Sequence, residues 1–111
     1  MRAKYEVNLG GEGEIPGVLN QQPPAALRPN WRSVTGKTVA ELVQAGHRFL
    51  ICPNDVITLP DDSVDSVYTN NVPVDTTNVW FGLGVQSSEI RRILKPGGVW
   101  IRDGVLFYTK P

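Results

Sequence analysis

The sequence predicts an α/β domain with a mostly parallel sheet that ends in an antiparallel hairpin and carries two or three short helices. Three observations predict it. Strand formers at Val64, Val67, Tyr68 and Val72 are followed by Ile90, Ile93 and Leu94 at helical spacing, and then by Val99-Trp100-Ile101. Strand, crossover helix and strand in that order make a right-handed parallel unit. Near the end, Asp103-Gly104 stands between two β-rich runs, the signal of a type I′ hairpin. At the start, the alternating Tyr5-Glu6-Val7-Asn8-Leu9 reads as a strand and runs straight into Gly10-Gly11-Glu12-Gly13-Glu14.

Length and composition bound the rest. At 111 residues the chain is read as a single domain, 1–111. Lys and Arg total 11, as do Asp and Glu, so no net field steers it toward nucleic acid, membrane or acidic surfaces. A lone Cys52 excludes an internal disulfide. With one His and one Cys, a zinc site lacks its usual ligands, so no metal is expected. No apolar run reaches the ~20 residues of a membrane span, and Met1-Arg2-Ala3-Lys4 leads into no signal-peptide core, so the domain is read as soluble.

After the first strand, the glycine cluster suits close approach of a ligand to the backbone, and suits equally a plain turn between two strands. Pro16 to Asn20 reads as a second strand. Few residues separate it from Gly13, whereas a parallel crossover needs about a dozen. The two strands are therefore not expected to be both adjacent and parallel. Gln21 to Ser33 reads as an extended loop near whose end Trp31 either stacks on a planar ligand or covers the core. Thr38-Val39-Ala40-Glu41 is a capping box opening a short helix over Val39, Leu42 and Val43 that closes at Gly46. Arg48 to Cys52 is a strand. His47 is a candidate general base, and Cys52 either its partner or a buried small apolar residue. Asn54 and Asp55 suit an Asx turn, and Asp61-Asp62-Ser63 a polar turn before the central strand, with Asp65 anchoring its start. Asn70, Asn71 and Asp75 follow that strand at its carboxyl end, where open α/β sheets bind ligands. The amides also suit a bend that uses them on backbone groups. Trp80, Phe81, Gly82 and Gly84 form a loop able to wall a pocket, and Ser87 or Ser88 is a candidate helix cap. Leu94-Lys95-Pro96-Gly97-Gly98 is a helix stop and reversal before the next strand.

The run from Leu59 to Tyr68, then Glu89-Ile90-Arg91-Arg92-Ile93-Leu94-Lys95-Pro96-Gly97-Gly98, resembles the second half of class I S-adenosylmethionine-dependent methyltransferases. The resemblance covers roughly half of the chain well. It implies a reduced Rossmann-like sheet, S-adenosylmethionine as cofactor and a transferase activity. It also implies that Gly10, Gly11, Glu12, Gly13, Asn20 and Asp55 hold the cofactor, with Asn70, Asn71 and Asp75 near the transferred methyl. The chain departs from the family pattern in three places. Asn8 stands where the first motif has an acid, Asn20 where an acid holds the ribose, and no helix follows the glycine cluster. Glu12 and Glu14, at the family's second and third glycines, suit a cationic sulfonium and repel phosphate.

A second set of stretches, Gly10 to Pro24, Pro73-Val74-Asp75 and Gly84 to Ile90, resembles C-terminal toxin domains of polymorphic secreted proteins of the RHS and contact-dependent type. That resemblance implies an antibacterial effector carried by a larger secreted protein, a cognate immunity protein as partner, and action in the cytoplasm of a rival cell. The competing readings are a non-catalytic binding domain on the same scaffold and a toxin acting on RNA or a nucleotide.

Overall fold

The computed structural model describes residues 4–78 and 82–111. A six-stranded sheet is built from β1 (Glu6–Leu9), β2 (Leu19–Gln22), β3 (Phe49–Ile51), β4 (Val64–Thr69), β7 (Leu94–Arg102) and β8 (Val105–Thr109). Its order is β3-β2-β1-β4-β7-β8; every pairing is parallel except the last, β7 with β8. A separate two-stranded pair, β5 (Thr77–Asn78) with β6 (Gly82–Leu83), lies between β4 and the second helix. The helices are α1 (Val39–Gln44), α2 (Ser87–Ile93) and a 3-10 turn at Pro24–Leu27. Among the described residues no helix is long and apolar enough to cross a membrane.

The mostly parallel sheet closed by an antiparallel hairpin agrees with the expectation from sequence. At the hairpin turn, Asp103 and Gly104 both have positive φ, as a type I′ turn requires. The capping box is also present. Thr38 accepts from the backbone of Glu41, and the Glu41 carboxylate accepts from the Thr38 backbone.

The connection from β1 to β2 departs from expectation. These strands are adjacent and parallel, with Val7 opposite Leu19 and Leu9 opposite Gln21, yet residues 10–18 hold no helix. Strand length is the reason. Each strand has four residues, so the chain need climb back only about 10 Å, which an irregular segment can span. Positive φ at Gly10, Gly13 and Gly17 supplies the bends. The second strand is also displaced from Pro16–Asn20 to Leu19–Gln22, and the expected loop after it opens with that strand's last residues and the 3-10 turn.

The stop after α2 differs too. Leu94 to Gly98 does not reverse the chain but begins β7 as an irregular stretch, where pairing with β4 jumps from Val64–Leu94 to Ser66–Val99. Gly97 and Gly98 pair with Lys110 by backbone hydrogen bonds of 2.8 and 2.9 Å. A Cβ at Gly98 would come within 2.8 Å of the Lys95 carbonyl, so the bulge closes only around glycine.

Side chains alternate along a strand, so the register gives the sheet two unlike faces. Val7, Leu9, Val67 and Trp100 share one face and join Ile90, Ile93 and Leu94 in the core. Asn8, Asn20, Tyr68 and Ile101 share the other. There Asn8 and Asn20 are buried beneath the β1–β2 connection, while Tyr68 and Ile101 are half-covered.

Candidate functional site

The order of the sheet reverses between β1 and β4: from β1 the chain moves to β2 and β3, from β4 to β7 and β8. In open α/β sheets ligands bind outside the carboxyl ends of the strands at this switch point. A cleft of about 200 Å³ lies there. The segments after several parallel strands build it: Gly10 and Glu12 after β1, Pro23, Ala25, Ala26 and Trp31 after β2, Asn54 after β3, and Val72-Pro73 after β4. Gly82 to Val85 form another wall.

Two glycines are required for packing. A Cβ at Gly10 would overlap the Val72 side chain, so the loops after β1 and β4 can touch only because Gly10 is bare. A Cβ at Gly11 would overlap the Asn20 and Asn8 amides.

Beneath the loop lies a network of buried amides. Gly10 N–H donates to Gln21 Oε1 (3.1 Å) and Gly13 N–H to Asn20 Oδ1 (3.1 Å). Glu12 N–H donates to Glu14 Oε1 (2.8 Å), an oxygen that also accepts from Asn8 Nδ2 at 2.6 Å. Asn20 Nδ2 donates to the Arg48 carbonyl (3.1 Å), Gln21 Nε2 to the Cys52 carbonyl (2.8 Å), and Gln22 Nε2 to the Gly11 carbonyl (3.0 Å). The loop donors that a bound carboxylate or phosphate would use are thus engaged by the chain itself. Asn8 Oδ1 is buried with no partner among the described residues.

Protein-family models, curated proteins and solved structures were all compared with the chain, and none matches it.

Of the residues expected to hold a cofactor, Gly10 and Glu12 line the cleft. Gly11, Gly13 and Asn20 lie beside them and fix the loop's shape. Asp55 sits in the turn after β3, next to Asn54, which lines the cleft where Asp55 does not. Of the residues expected near the transferred methyl, Asn70 directly follows β4 and Asn71 has a φ of 55°, its N–H donating to Asp103 Oδ1 at 2.7 Å. Neither lines the cleft, although their neighbours Val72 and Pro73 do.

Asp75 is committed to α2. One oxygen accepts from Ser87 N–H (2.8 Å) and the other from the Ser87 hydroxyl (2.6 Å). Those bonds, the hydroxyl foremost, hold the Asp75 carboxyl below the ordinary carboxylate range. This revises the expected helix cap. Gln86 occupies the cap position without a side-chain bond, Ser87 is the first helical residue, and the missing acceptor comes from Asp75 across the loop.

His47 packs its ring against Gly13 and Cys52 lies in the core cluster; neither belongs to β3. Trp80 and Phe81 fall outside the described residues, but Gly82 to Val85 of the same loop do wall the cleft. Sequence reasoning missed Gln22, Ala26, Asn54 and Val72 as lining. Their shared signal is position, each falling within a few residues of a strand's carboxyl end. The displacement of β2 toward the C-terminus hid Gln22 and Ala26.

Proposed function

We propose that the chain is a small-ligand-binding domain on a reduced methyltransferase-type scaffold, with S-adenosylmethionine as ligand and methyl transfer as the associated activity. The observation that carries this reading is the coincidence of the glycine loop after β1, the Val72-Pro73 segment after β4 and the switch point of the sheet around one cleft. The lining fits part of such a ligand. Trp31 and the apolar wall suit the adenine ring or alkyl groups, and Glu12 suits the sulfonium. The loop N–H groups do not fit its carboxylate, since side chains of the chain already occupy them. When bound, the cofactor would supply an electrophilic methyl group. The chain's own part is to bind it, through Glu12 and the aromatic wall, and to hold Gly10 against Val72.

Commitment of both Asp75 oxygens to Ser87 favours a second reading, a binding domain without catalysis. Calorimetric titration with S-adenosylmethionine tests the first claim, with Trp31→Leu and Asp55→Ala as controls. Micromolar binding weakened by Trp31→Leu is expected. Absence of binding at millimolar cofactor would sink the reading. The effector role implied by the toxin resemblance is tested by growth inhibition on expression and by capture of a neutralising partner.

A further inference from the structure

We infer that the cleft is a receptor for a compact onium group, a sulfonium or quaternary ammonium centre with small alkyl substituents. The inference rests on the same cleft as the proposed function but not on methyl transfer. An onium centre carries charge without N–H or O–H donors, so a site for it needs apolar and aromatic surface plus a negative charge that requires no hydrogen bond in return.

The lining has this character. Trp31, Val72 and Leu83 supply aromatic and apolar walls, and Glu12 supplies the charge; among the described residues no Lys, Arg or His lines the cleft. Glu12 Oε1 accepts from Val34 N–H at 3.0 Å, which ties the carboxylate to the segment just past Trp31. Its second oxygen accepts no hydrogen bond from the described residues. The two amides of the lining point their donors elsewhere, Gln22 Nε2 to the Gly11 carbonyl (3.0 Å) and Asn54 Nδ2 to the Leu83 carbonyl (3.2 Å). An anion would therefore meet a carboxylate and few free donors. The volume, about 200 Å³, suits a compact group and lies below the ~300–1,000 Å³ of pockets that enclose drug-sized ligands.

The test is titration of the ¹⁵N-labelled chain with tetramethylammonium and with trimethylsulfonium chloride. Sodium chloride serves as the ionic control and tert-butanol as a neutral control of similar shape. Saturable shifts of the Trp31 indole and Glu12 amide with the cations are expected, lost in Trp31→Leu and weakened several-fold in Glu12→Gln, which keeps an acceptor for Val34. Preference between the two cations then assigns the natural ligand to the sulfonium or the quaternary ammonium class. Equal shifts with tert-butanol, or no saturable shift with either cation, would overturn the inference. Cofactor binding with both cations failing would overturn it and leave the proposed function standing; cation binding with the cofactor failing would do the reverse.

Discussion

At the scale of single residues, Asn8 holds the loop after β1 from beneath. Its Nδ2 donates to Glu14 Oε1 at 2.6 Å, and a carboxylate there could not donate. Asn8→Asp is therefore expected to lower stability by roughly 2 kcal/mol or more, because two carboxylates would meet beneath the loop. Glu14→Gln in the same chain should recover much of that loss, and urea unfolding of the single and double variants checks it. Gly11 and Gly17 make a second comparison. A Cβ at Gly11 would overlap two buried, hydrogen-bonded amides, whereas at Gly17 it would meet open space and only the positive φ of 76° opposes it. Gly17→Ala should cost about 1–2 kcal/mol, and Gly11→Ala clearly more, read as a larger fall in the unfolding midpoint. The glycine cluster was legible in the sequence, but its reason was not. The same spelling serves a ligand's approach or an amide's, and the partners Asn20 and Val72 are distant along the chain.

At the scale of elements, α2 is held by contacts at both ends. Asp75 holds its first turn. Near its end, Arg92 donates to the carbonyls of Ile57 (2.7 Å) and Leu59 (2.9 Å), and to Glu89 and Asp61. Glu89 Oε1 also accepts from Ile57 N–H at 2.9 Å, so helix and loop exchange hydrogen bonds. Arg92→Ala, which leaves Glu89 Oε2 and the Leu59 carbonyl without their donor, should cost about 2–3 kcal/mol with little change in denaturant slope. Thr38→Ala, removing the α1 cap, should cost about 1 kcal/mol. The capping box was legible because it is local in sequence. The cap on α2 was not, because Asp75 reaches Ser87 across the loop. The β1–β2 connection was misjudged for a related reason: a rule about crossovers assumes strands of ordinary length, and these are short.

At the scale of the molecule, acid should find the same joints. The Arg92 guanidinium, foremost, and Ile57 N–H hold the Glu89 carboxyl below its ordinary range against the opposing effect of burial, and Ser87 does so for Asp75. Both folded-state pKa values are depressed. Their contribution is therefore complete above the unfolded carboxylate range, about pH 4, and is lost as pH falls through the lower folded values. Unfolding free energy measured by urea at descending pH should drop in that window, and the drop should be shallower in Asp75→Asn with Glu89→Gln. The mostly parallel sheet and its closing hairpin were legible, since the strand–helix–strand run of β4, α2 and β7 and the Asp103-Gly104 turn are each local in sequence. What covers each face was not, because it depends on contacts between segments far apart along the chain.

The position of β1 has a consequence in time. It lies inside the sheet, hydrogen-bonded to β2 on one side and to β4 on the other, with Glu6 opposite Ser66 and Tyr5 N–H held by Asp65. Among the strands of the sheet β1 is made first, yet its partner β4 follows only after β2, α1 and β3, and the partner of β4 on its far side, β7, comes later still. The nascent chain can form α1 early but must hold β1 half-matched until β4 has emerged. Long-range closure of this kind slows folding, so the sheet settles as a unit once β4 and β7 are available rather than growing from its first strand.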